Sequence, residues 1–387
     1  MHVLSVLRRT VTTAAALAAA VVPALALAPA AHADQARALR SGFTVYTNER
    51  NVPTPGLENF GAVRSTVAYD YFHLTCDAAG CYSDGGALPT EDAYKAKILD
   101  YVQQFHGGPT DPVVLDFEPI ALTEVSGPAA TNAFALWKQL IHWTHEAMPK
   151  APVGAYGYDW KTTNIDLVKK LHAPGLLDFF APRAYFDKTP GMTGWNSNLD
   201  GALANDHAIA PGQPVVPYIS PSFSGNTGTG YLDGTQIDTI FATLKARTQG
   251  VVVWEPDAKG PAACGWFNAF SANMGTLTNT ASHGPLTAKA TTPGGDCTVP
   301  AGATTTVPVT FTNTSSAATA ATTVQAPGGL PAGWSVTWSD TSVPALAPGA
   351  AWTTSFTVTA PAAGPDNTAL LHQTTGLGDT RFAMVAY

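Results

Sequence analysis

The sequence predicts an α/β barrel followed by a small all-β sandwich. Three observations carry that expectation. Short apolar bursts alternate with helical patterns up to about residue 280. The chain then becomes nearly uncharged, rich in Thr, Ala, Pro and Gly, and alternates with a period of two. Its 387 residues suit a barrel-sized domain plus a smaller partner. An apolar fraction of 45% with nine Trp can fill a large core, which excludes wholesale disorder.

The apolar bursts are Phe43–Thr47, Thr66–Phe72, Pro112–Glu118, Val153–Asp159, Asp178–Phe186, Pro214–Ser220 and Gly250–Pro256. Glu91–Phe105, Ala129–Ala147, Asn164–Leu171 and Gln236–Arg247 carry helical patterns between most of them. Short continuous apolar strands separated by helices argue for a parallel sheet covered by helices. Over residues 40–280 this suits a (β/α) TIM-like barrel, with seven strands counted rather than eight, better than an open sheet.

From residue 287 to 387 the strands read differently. Val307-Pro-Val-Thr-Phe-Thr312, Trp334-Ser-Val-Thr-Trp338 and Trp352-Thr-Thr-Ser-Phe-Thr-Val358 alternate, and Pro327-Gly-Gly329, Pro331-Ala-Gly333 and Pro348-Gly349 turn the chain between them. Such spacing predicts a β-sandwich. The segment Pro331-Ala-Gly-Trp-Ser-Val336, with Ala347-Pro-Gly349 and a Thr-rich strand after it, resembles the Ig-like module appended to bacterial galactosidases and other secreted glycosidases. Trp334, Trp338 and Trp352 are read as packing residues of that module rather than as sugar platforms.

The N-terminus has the pattern of an export leader. Arg8 and Arg9 precede an apolar run from about Val11 to Ala28, and Ala31-His32-Ala33 is a small-residue cleavage signal. Residues 1–33 are expected to be removed after Ala33 and the protein to be secreted. The Arg pair alone does not define the twin-arginine route, since no bulky residue follows in the right place. Without the leader, 18 basic residues stand against 28 acidic ones, a charge of −10. Basic residues are scarce and scattered, so a nucleic-acid partner is excluded. No other apolar run is long enough to span a bilayer. A monomer is expected.

Four cysteines agree with an oxidising compartment. Pairing by proximity joins Cys76 to Cys81 in a local loop and Cys264 to Cys297 across the domain boundary. The other two pairings stay open on sequence. A zinc site is the rival reading, but no His lies at metal-ligand spacing beside these cysteines. No metal or cofactor is expected. His73, His106, His142, His145, His172 and His207 are scattered and are read as surface or satisfied helix residues.

Barrel chemistry sits at the C-terminal ends of the strands. Those ends read Tyr69-Asp70, Asp116-Phe117-Glu118, Tyr156 with Tyr158 and Asp159, Tyr185 with Asp187, Tyr218, and Trp254-Glu255-Pro256-Asp257. Asp116 and Glu118 are the central pair. If both lie on the strand, they share a face about 6.6 Å apart along it. Two close carboxylates in a shielded site cannot both ionise freely, so one is pushed toward a general acid's range. Both stand on one wall, so neither can easily attack the far face of a sugar held by the other. The nucleophile then comes from another strand or from the substrate's own N-acetyl group.

The ordered series Phe43-Thr-Val-Tyr-Thr-Asn48, Val67-Ala-Tyr-Asp70, Val114-Leu-Asp-Phe-Glu118, Gly154-Ala-Tyr-Gly-Tyr158, Ala181-Pro-Arg-Ala-Tyr185, Val215-Val-Pro-Tyr218 and Gly250-Val-Val-Val-Trp254 resembles the animal and venom hyaluronidases. That resemblance implies a seven-stranded, distorted barrel and a set of roles. Glu118 would be the acid/base, Asp116 would hold the acetamido N–H, and Tyr185 would stabilise the developing oxazolinium. Tyr156 would line the same subsite, Trp254 would floor it, and Tyr69 and Asp70 would hydrogen-bond the neighbouring sugar. Tyr158, Tyr218 and Glu255 complete the expected substrate-binding set.

Two departures from the family matter. Pro119-Ile120-Ala121 replaces the Trp and Arg that follow the acidic pair in hyaluronidases, and Glu255 replaces a Gly after the Trp. With the net charge, they disfavour a polyanionic substrate. Arg183, Lys161 and Lys188 are the basic residues available to offset this. The leading expectation is a secreted endoglycosidase acting on an N-acetylhexosamine-containing glycan with retention. The alternatives are a retaining glycosidase using Glu118 and Glu255 on a neutral polysaccharide, and a non-catalytic carbohydrate-binding protein.

Overall fold

The computed structural model describes residues 37–48, 57, 61–84, 86–120, 122, 125–157, 164–225, 230–254, 285–290, 298–325, 330, 332–362, 368–375 and 377–386. Residues 1–33, expected to be a leader, and Tyr158, Asp159, Lys161, Glu255, Asp257, Cys264 and Cys297 lie outside these residues.

In chain order the elements are β1 (Thr44–Thr47), β2 (Val63–Arg64), β3 (Thr66–Tyr69), β4 (Thr75–Cys76), β5 (Cys81–Tyr82), α1 (Glu91–Gln104), β6 (Val113–Asp116), α2 (Gly127–Ala147), β7 (Val153–Tyr156), α3 (Ile165–Leu171), β8 (Phe179–Ala181), α4 (Met192–Ile209), β9 (Tyr218–Ile219), α5 (Gly234–Arg247) and β10 (Gly250–Val253). Each of the seven apolar bursts contains one of these strands. The strands are shorter than the bursts because they stop where the polar residues begin.

All ladders among β1–β3 and β6–β10 are parallel. One sheet has the order β2-β1-β10-β9 and the other β3-β6-β7-β8. Two further pairings connect them. Phe180 pairs with Val215 and Arg183 with Tyr218, both parallel. At the other side, the chain changes partner within one residue. Ser65 donates its N–H to Thr47 O at 2.9 Å, and Thr66 donates to Pro112 O at 2.8 Å. The two sheets thus meet through these bridges on one side and through the continuous segment 63–69 on the other.

Alternation along each strand divides the core. Odd-numbered residues such as Val113, Leu115, Val153 and Ala155 pack beneath α1, α2 and α3, whereas Val45, Val251 and Val253 pack beneath α4 and α5. The opposite face of the strands feeds one central cluster of Tyr46, Val63, Val114, Phe179, Ala181, Val216, Tyr218 and Val252, drawn from both sheets, with the numbering parity reversed on β2 and β8. Gly154 also faces the centre, and it is a glycine because a Cβ there would lie 2.5 Å from the Phe179 ring.

Helix starts follow local chemistry. Thr90 Oγ1 accepts from Ala93 N at the start of α1, and Asp233 and Gln236 form a reciprocal capping box at α5. The sequence reading missed α4. Its buried residues, Trp195, Leu199, Ala202, Asp206 and Ile209, keep helical spacing, but a buried acid and two glycines interrupt the apolar stripe.

Cys76 and Cys81 form a disulfide across the β4–β5 hairpin. Replacing both by Ser is expected to lower stability by about 2 kcal/mol, because the closed loop is short. Urea unfolding checks this.

The C-terminal strands are β11 (Leu286–Ala290), β12 (Thr298–Val299), β13 (Thr304–Asn313), β14 (Thr322–Thr323), β15 (Ser335–Trp338), β16 (Ser342–Val343), β17 (Ala351–Thr359), β18 (Thr368–Thr375) and β19 (Gly378–Ala386). They form an antiparallel sheet β11-β13-β17-β15, a second sheet β12-β19-β18, and the pair β14-β16. Val307, Val309, Phe311, Phe356 and Val358 alternate into one core with Trp334. Trp338 and Trp352 pack against Phe311. All three Trp are therefore packing residues. Among the described residues no helix is long and apolar enough to cross a membrane.

Candidate active site

The central parity continues past the strands into a cleft. Two residues after Val114, Gly154, Val216 and Val252 come Asp116, Tyr156, Tyr218 and Trp254. The same alternation that packs the centre therefore brings these four side chains to one place. With Val67, Glu118, Tyr185 and Gly225 they line a cleft of about 190 Å³.

Asp116 ends β6, and Glu118 opens a short 3-10 turn through Ile120. The strand spacing expected between the two carboxylates therefore does not apply, because the strand has ended before Glu118. Both acids still face the cleft because Phe117 between them turns away. Phe117 is buried against Tyr94 and Trp137, with ring centroids 6.3 and 5.5 Å distant. The Trp137 indole N–H donates to Ile120 O at 2.9 Å and fixes the far end of the turn. Thus α2, through one indole, sets where the exposed Glu118 stands.

Asp116 is the perturbed acid. Its carboxyl is pushed up to about 7, first by burial and then by the charges of Glu118 and Asp70. Its Oδ1 is buried and has no hydrogen-bond partner among the described residues. A carboxyl with an idle buried oxygen, open to a cleft on one side, is positioned to receive a donor from a ligand.

Aromatic residues form the rest of the wall. Tyr185 and Trp254 stack with centroids 5.7 Å apart and planes inclined by 23°. Tyr156 and Tyr218 meet edge-on at 5.2 Å. The Tyr156 and Tyr185 hydroxyls are hydrogen-bonded to one another, and burial raises the pKa of both. Tyr218 is also raised by burial. All three phenols stay protonated at neutral pH, and one proton of the Tyr156–Tyr185 pair is already donated within that pair.

The remaining expected residues support the cleft from behind. Trp254 Nε1 donates to the Tyr69 hydroxyl at 2.9 Å, so Tyr69 orients the indole. Asp70 Oδ2 accepts from Leu74 N at 2.7 Å and closes its own turn. Burial raises the Asp70 pKa. Neither residue lines the cleft. Tyr158 and Glu255 lie outside the described residues.

Three contributors escaped the sequence reading. Gly225 and Val67 line the cleft, and Asn48 Nδ2 donates to the Tyr218 hydroxyl at 3.1 Å. Among the described residues no group of His, Cys, Asp or Glu could hold a metal ion. His145 and His172 are buried and partnered, by Leu176 O and Gln213 respectively.

Residues 299–368 match the NPCBM-associated, NEW3 domain of alpha-galactosidase. The C-terminal region therefore contains a NEW3 domain. No curated protein matches the chain, hyaluronidases included. Among solved structures, bee venom hyaluronidase is similar at 13% identity, over 56% of this chain and 91% of that one, with a TM-score of 0.44. A glucosidase from Croceicoccus marinus is 9% identical over 82% of this chain and 89% of its own, with a TM-score of 0.38. A GH18 chitinase from Pseudoalteromonas aurantia is 14% identical over 62% of this chain and 100% of its own, with a TM-score of 0.33.

Proposed function

We propose that the chain is a secreted endoglycosidase that cleaves an N-acetylhexosamine-containing glycan with retention. The observation that carries this reading is the Asp116–Glu118 pair in an aromatic cleft, with one Asp116 oxygen buried and unpartnered. The parallel strands of the two linked sheets fit a seven-stranded barrel spanning residues 40–280. In the same reading an Ig-like sandwich, within which residues 299–368 match NEW3, spans residues 287–387, and a leader ends at Ala33.

In this reading Asp116 holds a proton in the empty site. An acetamido N–H placed against Asp116 favours its charged form and transfers the proton to Glu118. Glu118 then protonates the departing glycosidic oxygen. The acetamido carbonyl oxygen attacks the anomeric carbon as that bond breaks, giving an oxazolinium whose N–H rests on Asp116. Tyr185 donates toward the developing charge, and Trp254 floors the acetamido group. Water opens the ring from the same face with Glu118 as base, so two inversions give retention.

A panel of N-acetylated and neutral polysaccharides with reducing-end detection tests the activity directly. A thiazoline mimic of the oxazoline is expected to bind at least tenfold below the substrate KM. Glu255→Gln is expected to cost little. Equal cleavage of de-acetylated substrate, or loss of turnover in Glu255→Gln with no thiazoline inhibition, would transfer the nucleophile's role to Glu255.

A further inference from the structure

Tyr185 is held from three sides, and one of the three is backbone. Trp254 stacks on it. The Arg183 guanidinium carbon lies 5.3 Å from its ring centroid. The third contact is Gly225, where an added Cβ would fall 2.7 Å from both Cδ2 and Cε2 of Tyr185 and 3.3 Å from Cζ. No real Cβ tolerates that approach, so the ring edge rests against a glycine main chain.

The turn that delivers Gly225 is unusual. Ser224 has φ 58° and ψ 14°, and Gly225 follows at φ 67°. A non-glycine residue in the left-handed region is uncommon and persists where neighbours enforce it. Here the enforcement comes from the segment carrying Tyr185. Ser224 N donates to Phe186 O at 2.8 Å, and Ser224 Oγ donates to Asp187 Oδ1. Phe223 packs on Phe186 at 6.0 Å. Three contacts of the turn thus fall on the two residues that follow Tyr185. The turn grips residues 186–187 and presses its glycine on residue 185.

We propose that the Ser224–Gly225 turn is the positioning device for Tyr185, with Gly225 fixing the ring angle through direct backbone contact. This deepens the glycosidase reading and rests on it for the kinetic consequence. Gly225 touches no reacting atom in this scheme. It acts through Tyr185, whose hydroxyl must meet charge that exists only near the transition state.

The test is a cycle of Gly225→Ala, Tyr185→Ala and the double variant, measured three ways. Gly225→Ala alone should lower kcat roughly tenfold and weaken thiazoline binding by a similar factor, while KM stays within about twofold. In the Tyr185→Ala background the same change should cost clearly less, in rate and in melting temperature, because the clashing ring is gone and only the strain of an alanine at φ 67° remains. In protein labelled with 3-fluorotyrosine, the resonance that Tyr185→Phe removes should move in Gly225→Ala. If Gly225→Ala does not fold, the double variant should, and Ser224→Ala should give a smaller kcat loss of about threefold. A kcat within twofold of wild type in Gly225→Ala would overturn the proposal. So would equal melting losses in the two backgrounds, an unmoved Tyr185 resonance, or a double variant that also fails to fold. The melting and fluorine measurements need no turnover. An inactive wild type would therefore count against the glycosidase reading while these measurements still decide the positioning one.

Discussion

Glu118→Gln is expected to lower turnover by roughly 10²–10⁴-fold while leaving the fold intact. The amide keeps the shape and the hydrogen-bonding reach of the carboxyl but has no proton to give to a leaving oxygen. Little structural cost is expected because Glu118 is exposed at the start of its turn and makes none of the contacts that hold that turn. Phe117 and the Trp137–Ile120 hydrogen bond do that work. The pattern of loss is diagnostic. A substrate with a good leaving group needs little protonation, so a nitrophenyl or fluorinated aryl glycoside should recover much of the lost rate in its first step. Near-normal turnover of the natural polymer by Glu118→Gln would remove Glu118 from the acid/base role. An equal loss on polymer and activated glycoside would point to a binding role instead. Thermal melting of the variant within a degree or two of wild type excludes a folding explanation.

The sequence disclosed the strands because most are short runs of buried apolar residues, rich in β-branched and aromatic side chains, that end where polar residues begin. Val113-Val-Leu115 and Val251-Val-Val253 are fully buried, and no helix of that length would be so uniform. The cleft's wall was legible for the same reason. Asp116, Tyr156, Tyr218 and Trp254 continue strand parity, and parity is a property of the chain alone. What parity does not reach was not legible. Glu118 departs from the strand into a 3-10 turn, so its placement depends on Trp137, residues away on α2. Asp70 looked like a rim acid. Its carboxylate instead closes a turn, which depends on how residues 70–74 fold back. Gly225 contributes no side chain at all, and only the approach of residues 185–187 gives it meaning. Helix α4 was hidden by Asp206, a buried acid at a position where its stripe called for an apolar residue.

Asp116→Asn is expected to change both the pH profile and the stability, in ways that separate charge from shape. In the folded chain Asp116 keeps its proton to about pH 7, against an ordinary value of 3.8. Between those values folding takes up a proton, so the stabilising contribution of protonation is complete below 3.8 and disappears as pH rises through 7. Above 7 the folded state carries a buried charge beside Glu118 and Asp70. The amide never acquires that charge. Asp116→Asn should therefore be more stable than wild type at pH 8, by up to about 4 kcal/mol at about 1.4 kcal/mol per pH unit, and the advantage should vanish near pH 4. Activity should move the other way. Wild type should be most active on the acidic side and fall along an alkaline limb near pH 7, where Asp116 loses its proton. The variant should lose that limb and bind the thiazoline more weakly, since an amide oxygen is a poorer partner for a cationic ring N–H than a carboxylate. Denaturant unfolding at pH 4 and pH 8, with kcat/KM across the same range, checks both halves. A stability difference that does not depend on pH would show that burial of Asp116 costs the folded chain no charge. An alkaline limb unmoved by the substitution would assign the titrating proton to a different group.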